Sequence, residues 1–172
     1  MRHINEIVVH CSATRPEWMA GGSIEEKRHE IKLWHMSRNP PFRREGYHHF
    51  IDRDGSECAG RPDSMVGAHV RGRNANTLSV CLIGGRGSSA TDAPSDNFTL
   101  AQLEALEAHI HRKMKEYPTI HIISGHNQYA NKACPGFNVP RWWNSVKNKP
   151  KTVIMPTAFP SKLSWWQRIF GK

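Results

Sequence analysis

The chain has 172 residues, a formal net charge of +9 at pH 7 and four cysteines, none of which forms a Cys-x-x-Cys motif. Its length fits a single domain that needs no disulfide bonds to fold. No apolar run approaches the ~20 residues of a membrane-spanning helix. We therefore expect neither a disulfide framework nor a membrane-spanning segment.

The first third of the chain alternates between strand and helix patterns. Residues 6–10 (EIVVH) are rich in β-branched side chains and predict a strand. Ser23, with a glutamate three residues later, has the pattern of a capping box and predicts the start of a helix, which ends before Asn39 and its two following prolines. Residues 46–52 predict a second strand, and an Asp-Gly turn joins it to a returning strand at 56–59.

The rest of the ordered pattern contains two more strands and two more helices. Residues 77–83 (TLSVCLI) form an apolar run that predicts a central strand. The stretch 84–97 is rich in glycine, serine and aspartate and predicts a surface loop. Thr99 predicts the cap of a second long helix, residues 119–124 predict another strand, and Pro140 predicts the start of a final short helix.

This order of elements predicts one mixed β-sheet flanked by helices, in the α/β (α+β) class. We expect residues 1–148 to form this domain, because the sheet and helix patterns end there. Residues 149–172 are expected to form a basic, tryptophan-containing tail.

Three metal-ligating side chains follow the ends of predicted strands. His10 ends the first strand, His126 follows the strand at 119–124, and Cys134 lies in the loop beyond it. If the two strands are neighbours, the three side chains meet at one sheet edge, where functional groups of open sheets gather. Two histidines and a cysteine suit zinc, and three protein ligands leave a fourth position open, as in catalytic sites. With 11 histidines in the chain, each could equally be structural.

Several segments, read in order, form a longer pattern: 9–14 (VHCSAT), 46–55 (GYHHFIDRDG), 66–69 (VGAH), 76–85 (NTLSVCLIGG), His126 with 132–135 (KACP), and 141–143 (RWW). This pattern resembles the amidase-type phage lysozymes, a family related to bacterial amidases and animal peptidoglycan recognition proteins. The resemblance covers roughly residues 5 to 145. The chain departs from it at Asn127, where the family has a second histidine, and beyond about residue 148.

The resemblance implies a peptidoglycan-recognition/amidase fold and a zinc-dependent N-acetylmuramoyl-L-alanine amidase. It implies three zinc ligands: His10, His126 and Cys134. It further implies that Tyr47 relays a proton or donates to the oxyanion, and that Lys132 places a positive charge where the oxyanion develops. His69 and Asn76 are expected to contact the substrate.

The same resemblance implies a phage endolysin that acts on peptidoglycan as a monomer and causes host lysis. The start of the chain has no export pattern, so we expect it in the host cytoplasm until the membrane is permeabilised. A cytoplasmic amidase that recycles muropeptides fits equally. A peptidoglycan binder without activity is disfavoured because Cys134 is present. The family also includes an inhibitor of RNA polymerase, so that partner stays open.

The last third of the chain is strongly basic. No acid follows Glu116, whereas eight basic residues do: Lys132, Arg141, Lys147, Lys149, Lys151, Lys162, Arg168 and Lys172. Such a region suggests an anionic partner, and it also fits a solvated tail. Residues 161–171 (SKLSWWQRIFG) predict a short amphipathic helix that either binds anionic membrane or outer-envelope lipid or packs on the domain. Nucleic acid is the least favoured partner, because no nucleic-acid motif is present.

Overall fold

A computed structural model describes residues 2–148 of the chain. Five strands form one sheet in the order β3-β2-β4-β1-β5. Their bounds are β1 Glu6–Cys11, β2 His49–Ile51, β3 Glu57–Ala59, β4 Thr77–Leu82 and β5 Ile122–Gly125. All neighbours are parallel except β2 and β3, which form an antiparallel hairpin. The predicted mixed sheet flanked by helices is confirmed.

Within residues 2–148, four α-helices accompany the sheet: α1 Ile24–Met36, α2 Pro94–Asn97, α3 Leu100–Glu116 and α4 Val139–Val146. Ser23 and Thr99 cap α1 and α3 through capping boxes, as their sequence patterns predict. The four-residue α2 lies within the stretch predicted as loop, and it is too short to show a helical period.

Helices cover both faces of the sheet. On one face, α3 and α4 pack against the side chains of Ile7, Val9 and Cys11 from β1. On the other face, α1 packs against β2 and β3, with Phe50 in the shared cluster. Side chains alternate between the faces of a strand. His10 therefore points to the face of α1, whereas Cys11 points to the opposite face.

The parallel register places the ends of the central strands side by side. His10 lies opposite Cys81 on β4, and Val9 lies opposite Gly125 on β5. Because His126 directly follows Gly125, the register brings it next to His10. The strands that carry the two histidines are therefore neighbours.

Two strand boundaries differ from the sequence pattern. The strand predicted at 46–52 begins only at His49, because the backbone N–H of Gly46 donates to the ring of His35 at 2.9 Å. The strand predicted at 119–124 is shifted to Ile122–Gly125, because a turn follows α3. The predicted tail lies outside the described residues. Among residues 2–148, the helices are all too short or too polar to cross a membrane.

Candidate active site

The three predicted metal ligands converge at the carboxyl ends of β1 and β5. His10 is fully buried, whereas His126 and Cys134 are half-buried. Their potential ligand atoms all lie within 4.8 Å of one another. The sulfur of Cys134 is 3.8 Å from His10 Nδ1, and the rings of the two histidines are 4.7 Å apart. The fold therefore assembles the trio that the sequence predicts.

The chemistry of this trio fits a zinc ion. Zinc ligand distances of about 2.0 to 2.3 Å separate the ligand atoms of a tetrahedral site by roughly 3.5 Å. Burial lowers the pKa of both His10 and His126, so each ring keeps a lone pair at neutral pH. A hydrogen bond with Cys11 and burial raise the pKa of the Cys134 thiol, so a cation is needed to hold it as thiolate. The backbone N–H of Cys11 donates to this sulfur at 3.2 Å.

Asn127 closes the loop that brings His126 and Cys134 together. Its backbone N–H donates to the carbonyl oxygen of Cys134 at 2.7 Å, and its side-chain amide donates to that of Phe137 at 3.0 Å. A Cβ atom on Gly125 would lie 2.6 Å from the Asn127 side-chain oxygen, so only glycine permits this approach. The residue at which the chain departs from the pattern that it resembles therefore has a structural function.

A hydrogen-bond chain determines which nitrogen of His10 carries the proton. Thr77 Oγ1 donates to the carbonyl oxygen of Arg73 at 3.0 Å, which uses its only proton. The same oxygen therefore accepts from His69 Nε2 at 3.1 Å. Burial lowers the pKa of His69 to about 3, so its neutral ring accepts at Nδ1 from His10 Nε2, at 3.1 Å. His10 Nδ1 thus keeps its lone pair, on the side of Cys134.

The two predicted substrate contacts lie in different surroundings. His69 is 9% exposed, and Asn74 Oδ1 accepts from its backbone N–H at 3.0 Å. Asn76 is exposed and precedes β4, roughly 16 Å along that strand from Cys81, the residue opposite His10. The fold therefore brings the ring of His69 into contact with the ring of His10. It does not bring Asn76 close to the trio.

Tyr47 lies against His10 on the side of α1. Its ring centroid is 4.9 Å from that of His10 and 5.2 Å from that of His35. Burial raises the pKa of Tyr47 well above its usual value, so the phenol keeps its proton and acts as a donor at neutral pH. A Cβ atom on the preceding Gly46 would lie 2.4 Å from the carbonyl oxygen of Ala68, so glycine is required for Tyr47 to take this place.

Lys132 supplies a positive charge on the open side of the site. Its side chain is exposed, and its backbone N–H donates to the carbonyl oxygen of Ala130 at 2.8 Å. After burial, the positive charge of Lys132 is the next cause of the lowered pKa of His126. An electrophilic site with a neutral donor on one side and a cation on the other can stabilise a developing oxyanion.

The sequence is similar to that of known amidases and phage endolysins. Residues 1–137 match the family model described as N-acetylmuramoyl-L-alanine amidase. The chain is 39% identical to an endolysin of Klebsiella phage KP32 over 139 residues, which cover 81% of this chain and 85% of that protein. It is 38% identical to an endolysin of Escherichia phage T7, with 80% and 83% of the two chains covered.

A solved structure has the same fold. The N-acetylmuramoyl-L-alanine amidase LysC from Clostridium intestinale superimposes with a TM-score of 0.66 at 25% identity. The alignment covers 86% of this chain and 88% of LysC. The arrangement of sheet and helices is therefore shared with this amidase.

Proposed function

Because the chain belongs to the N-acetylmuramoyl-L-alanine amidase family, we propose that it is a phage endolysin that cleaves peptidoglycan with one zinc ion. The amidase activity follows from the family. The bond cleaved joins N-acetylmuramic acid to L-alanine. The observation that carries the zinc requirement is the convergence of two neutral imidazoles and one thiol at the end of two neighbouring parallel strands.

The three ligands would be His10 through Nδ1, His126, and the Cys134 sulfur. Bound there, zinc supplies the Lewis acidity that activates water and polarises a carbonyl group. The backbone N–H of Cys11, which donates to the Cys134 sulfur, would stabilise the thiolate form. Since His126 and Cys134 are half-buried, the substrate reaches the site from their side.

Two side chains would act on the scissile amide directly. Tyr47 holds a proton at Oη and donates it in a hydrogen bond to the oxygen on which negative charge develops. Lys132 Nζ places a full positive charge near the same oxygen from the solvent side. Groups that are aimed at developing charge in a partly desolvated site stabilise the transition state more than the substrate.

The proposal includes the place of action. The protein would accumulate in the host cytoplasm and reach the wall after the membrane is permeabilised. Anionic lipid and RNA polymerase stay predictions from the sequence, and residues 2–148 offer no contact on which to argue either. Asn76 stays a predicted substrate contact at the far end of β4.

The metal requirement is tested first. The purified protein should contain about one zinc per chain, because the three ligands form one site. Chelation should abolish the release of stem peptides from purified sacculi, and added zinc should restore it. Full release by metal-free protein would overturn the metal mechanism.

The same assay separates an endolysin from a recycling amidase. We expect loss of turbidity of intact sacculi as well as cleavage of soluble muropeptides. Cleavage of soluble muropeptides alone would contradict the endolysin role while leaving the amidase chemistry in place.

His69 is proposed as a positioning residue rather than a substrate contact, because both of its ring nitrogens are bonded inside the protein. His69→Leu removes the acceptor that fixes the tautomer of His10, and zinc affinity should fall about 10- to 100-fold. His69→Asn, whose side-chain oxygen can stand near Nδ1, should recover part of that affinity.

The measurement for His69 is competition with a zinc chelator, supported by nitrogen NMR of the His10 ring in metal-free protein. The ring should be protonated at Nε2 in the wild type and lose this preference in His69→Leu. Unchanged zinc affinity together with an unchanged tautomer would rule out the positioning role.

A further inference from the structure

A buried carboxylate lies against the loop that carries two of the three candidate metal ligands. This loop, residues 126–134, begins at His126 and ends at Cys134, and we call it the ligand loop. The carboxylate belongs to Glu6, the first residue of β1, which is only 1% exposed. Glu6 lies four residues before His10 and on the same face of the sheet, since side chains alternate along a strand. A buried charge is costly unless it is well paired, so its partners indicate what it does.

Three side chains from three different segments pair with Glu6. The hydroxyl groups of Ser124 on β5 and Tyr129 in the ligand loop both donate to Oε1. Arg73 Nη2 donates to Oε2 at 3.1 Å. Burial, and after it the hydrogen bond to Glu6, raise the pKa of Tyr129, so the phenol keeps its proton and stays a donor. Both oxygens of the carboxylate are therefore bonded, and one of them holds the ligand loop.

Arg73 connects the ligand loop to the hydrogen-bond chain that orients His10. Its guanidinium carbon lies 4.1 Å from the centre of the Tyr129 ring, which is a cation–π contact. Its carbonyl oxygen accepts from Thr77 Oγ1 at 3.0 Å, and the same hydroxyl oxygen accepts from His69. One residue thus contacts both parts of the protein that bring the ligands together.

Tyr129 is placed to fix the start of the ligand loop. It is the third residue after His126 and follows the short 3₁₀ turn His126–Gln128. The backbone N–H groups of Tyr129 and Ala130 both donate to the carbonyl oxygen of His126, at 3.0 and 3.2 Å. A single turn is not stable by itself, because too few hydrogen bonds offset the backbone entropy that it loses. A side-chain anchor at its end therefore decides whether the turn holds His126 in place.

We propose that Glu6 is a positioning residue for the metal site, which acts through Tyr129 and Arg73 to hold His126 beside His10 before the ion binds. Without this anchor, the ligand loop would have to become ordered when zinc binds, and that loss of entropy would oppose binding. Glu6 itself touches neither the ion nor the substrate. This inference rests on the proposed function, because zinc binding belongs to it.

Tyr129→Phe tests the anchor, since it removes the hydroxyl group that donates to Glu6 and keeps the ring beside Arg73. Zinc affinity, measured by competition with a chelator, should fall about tenfold or more, as expected for a hydrogen bond to a charged group. Glu6→Gln keeps an oxygen that can accept from Tyr129, so it should recover part of the affinity that Glu6→Ala loses. Tyr117→Phe is the matched control, because its phenol also donates to a carboxylate, that of Asp63, and it should bind zinc like the wild type.

Hydrogen exchange of zinc-free protein measures the ligand loop independently of activity. The backbone N–H of Asn127 donates to the carbonyl oxygen of Cys134, and that of Ala130 donates to His126. Both amides should exchange about tenfold faster in Tyr129→Phe, because the hydrogen bond that opposes local opening is lost. The amides of β4 should exchange at the wild-type rate. A general loss of stability would instead speed exchange in the strands as well.

Unchanged zinc affinity in Tyr129→Phe would overturn the positioning role of Glu6. Exchange that is unchanged in the ligand loop, or faster throughout the sheet, would overturn it as well. Failure of the proposed function is a separate observation, because the wild-type protein itself would then bind no zinc or release no stem peptide from sacculi.

Discussion

Cys134→Ser should abolish zinc binding at ordinary metal concentrations and with it nearly all release of stem peptides. A hydroxyl is a far weaker zinc ligand than a thiolate, since it stays protonated at neutral pH. Loss of an outer-shell partner already weakens metal affinity by about 10- to 100-fold, so loss of a direct ligand should exceed 100-fold. The backbone N–H of Cys11, 3.2 Å from the sulfur, would face a neutral oxygen instead of a thiolate.

Zinc content by elemental analysis and cobalt-substituted absorption spectra measure this effect. The wild type should show the sulfur-to-cobalt absorption that a thiolate ligand gives, and Cys134→Ser should not. Cys58→Ser is the matched control, because this thiol lies by the carbonyl oxygen of Ile24 in α1, outside the metal cluster. A serine variant at position 134 that keeps one zinc per chain and wild-type release would refute the ligand assignment.

The convergence of His10, His126 and Cys134 was predictable because it depends on a simple property of parallel sheets. Strands that run in the same direction end at the same edge, so His10 and the segment after β5 had to meet once their strands were neighbours. The family resemblance, which the comparisons confirm, supplied that neighbourhood. The helix caps at Ser23 and Thr99 were predictable for a different reason, since a capping box is a local pattern.

The position of His69 was not predictable from its motif. Whether a loop histidine faces the substrate or the protein depends on tertiary hydrogen bonds, here those to Thr77 and from its own backbone to Asn74. The contact between Trp18 and Trp34 also depends on tertiary structure, because it joins a loop that has no hydrophobic periodicity to a helix. Sequence periodicity reports which face of an element is apolar and not what a loop places against it.

Tyr47 and Lys132, the two groups proposed to act on the substrate, should each be needed for a normal rate. Tyr47→Phe removes only the hydroxyl and leaves the ring between His10 and His35. Lys132→Ala removes an exposed charge at little cost to stability. Each change should lower kcat/KM on the order of 10² to 10³-fold, as expected for a proton donor and for an oxyanion-stabilising group. Both variants should keep one zinc per chain.

Matched changes outside the site separate this effect from a general loss of hydroxyl or charge. Tyr117→Phe removes a phenol that donates to Asp63 at 3.4 Å, and Lys147→Ala removes an exposed charge after α4. Both controls should retain wild-type rates, whereas Lys132→Arg should recover part of the lost rate because it restores the charge. Because the proposal places both groups on one oxygen, the double variant should lose less than the product of the single losses. Wild-type rates in both Tyr47→Phe and Lys132→Ala would show that the oxyanion is stabilised elsewhere.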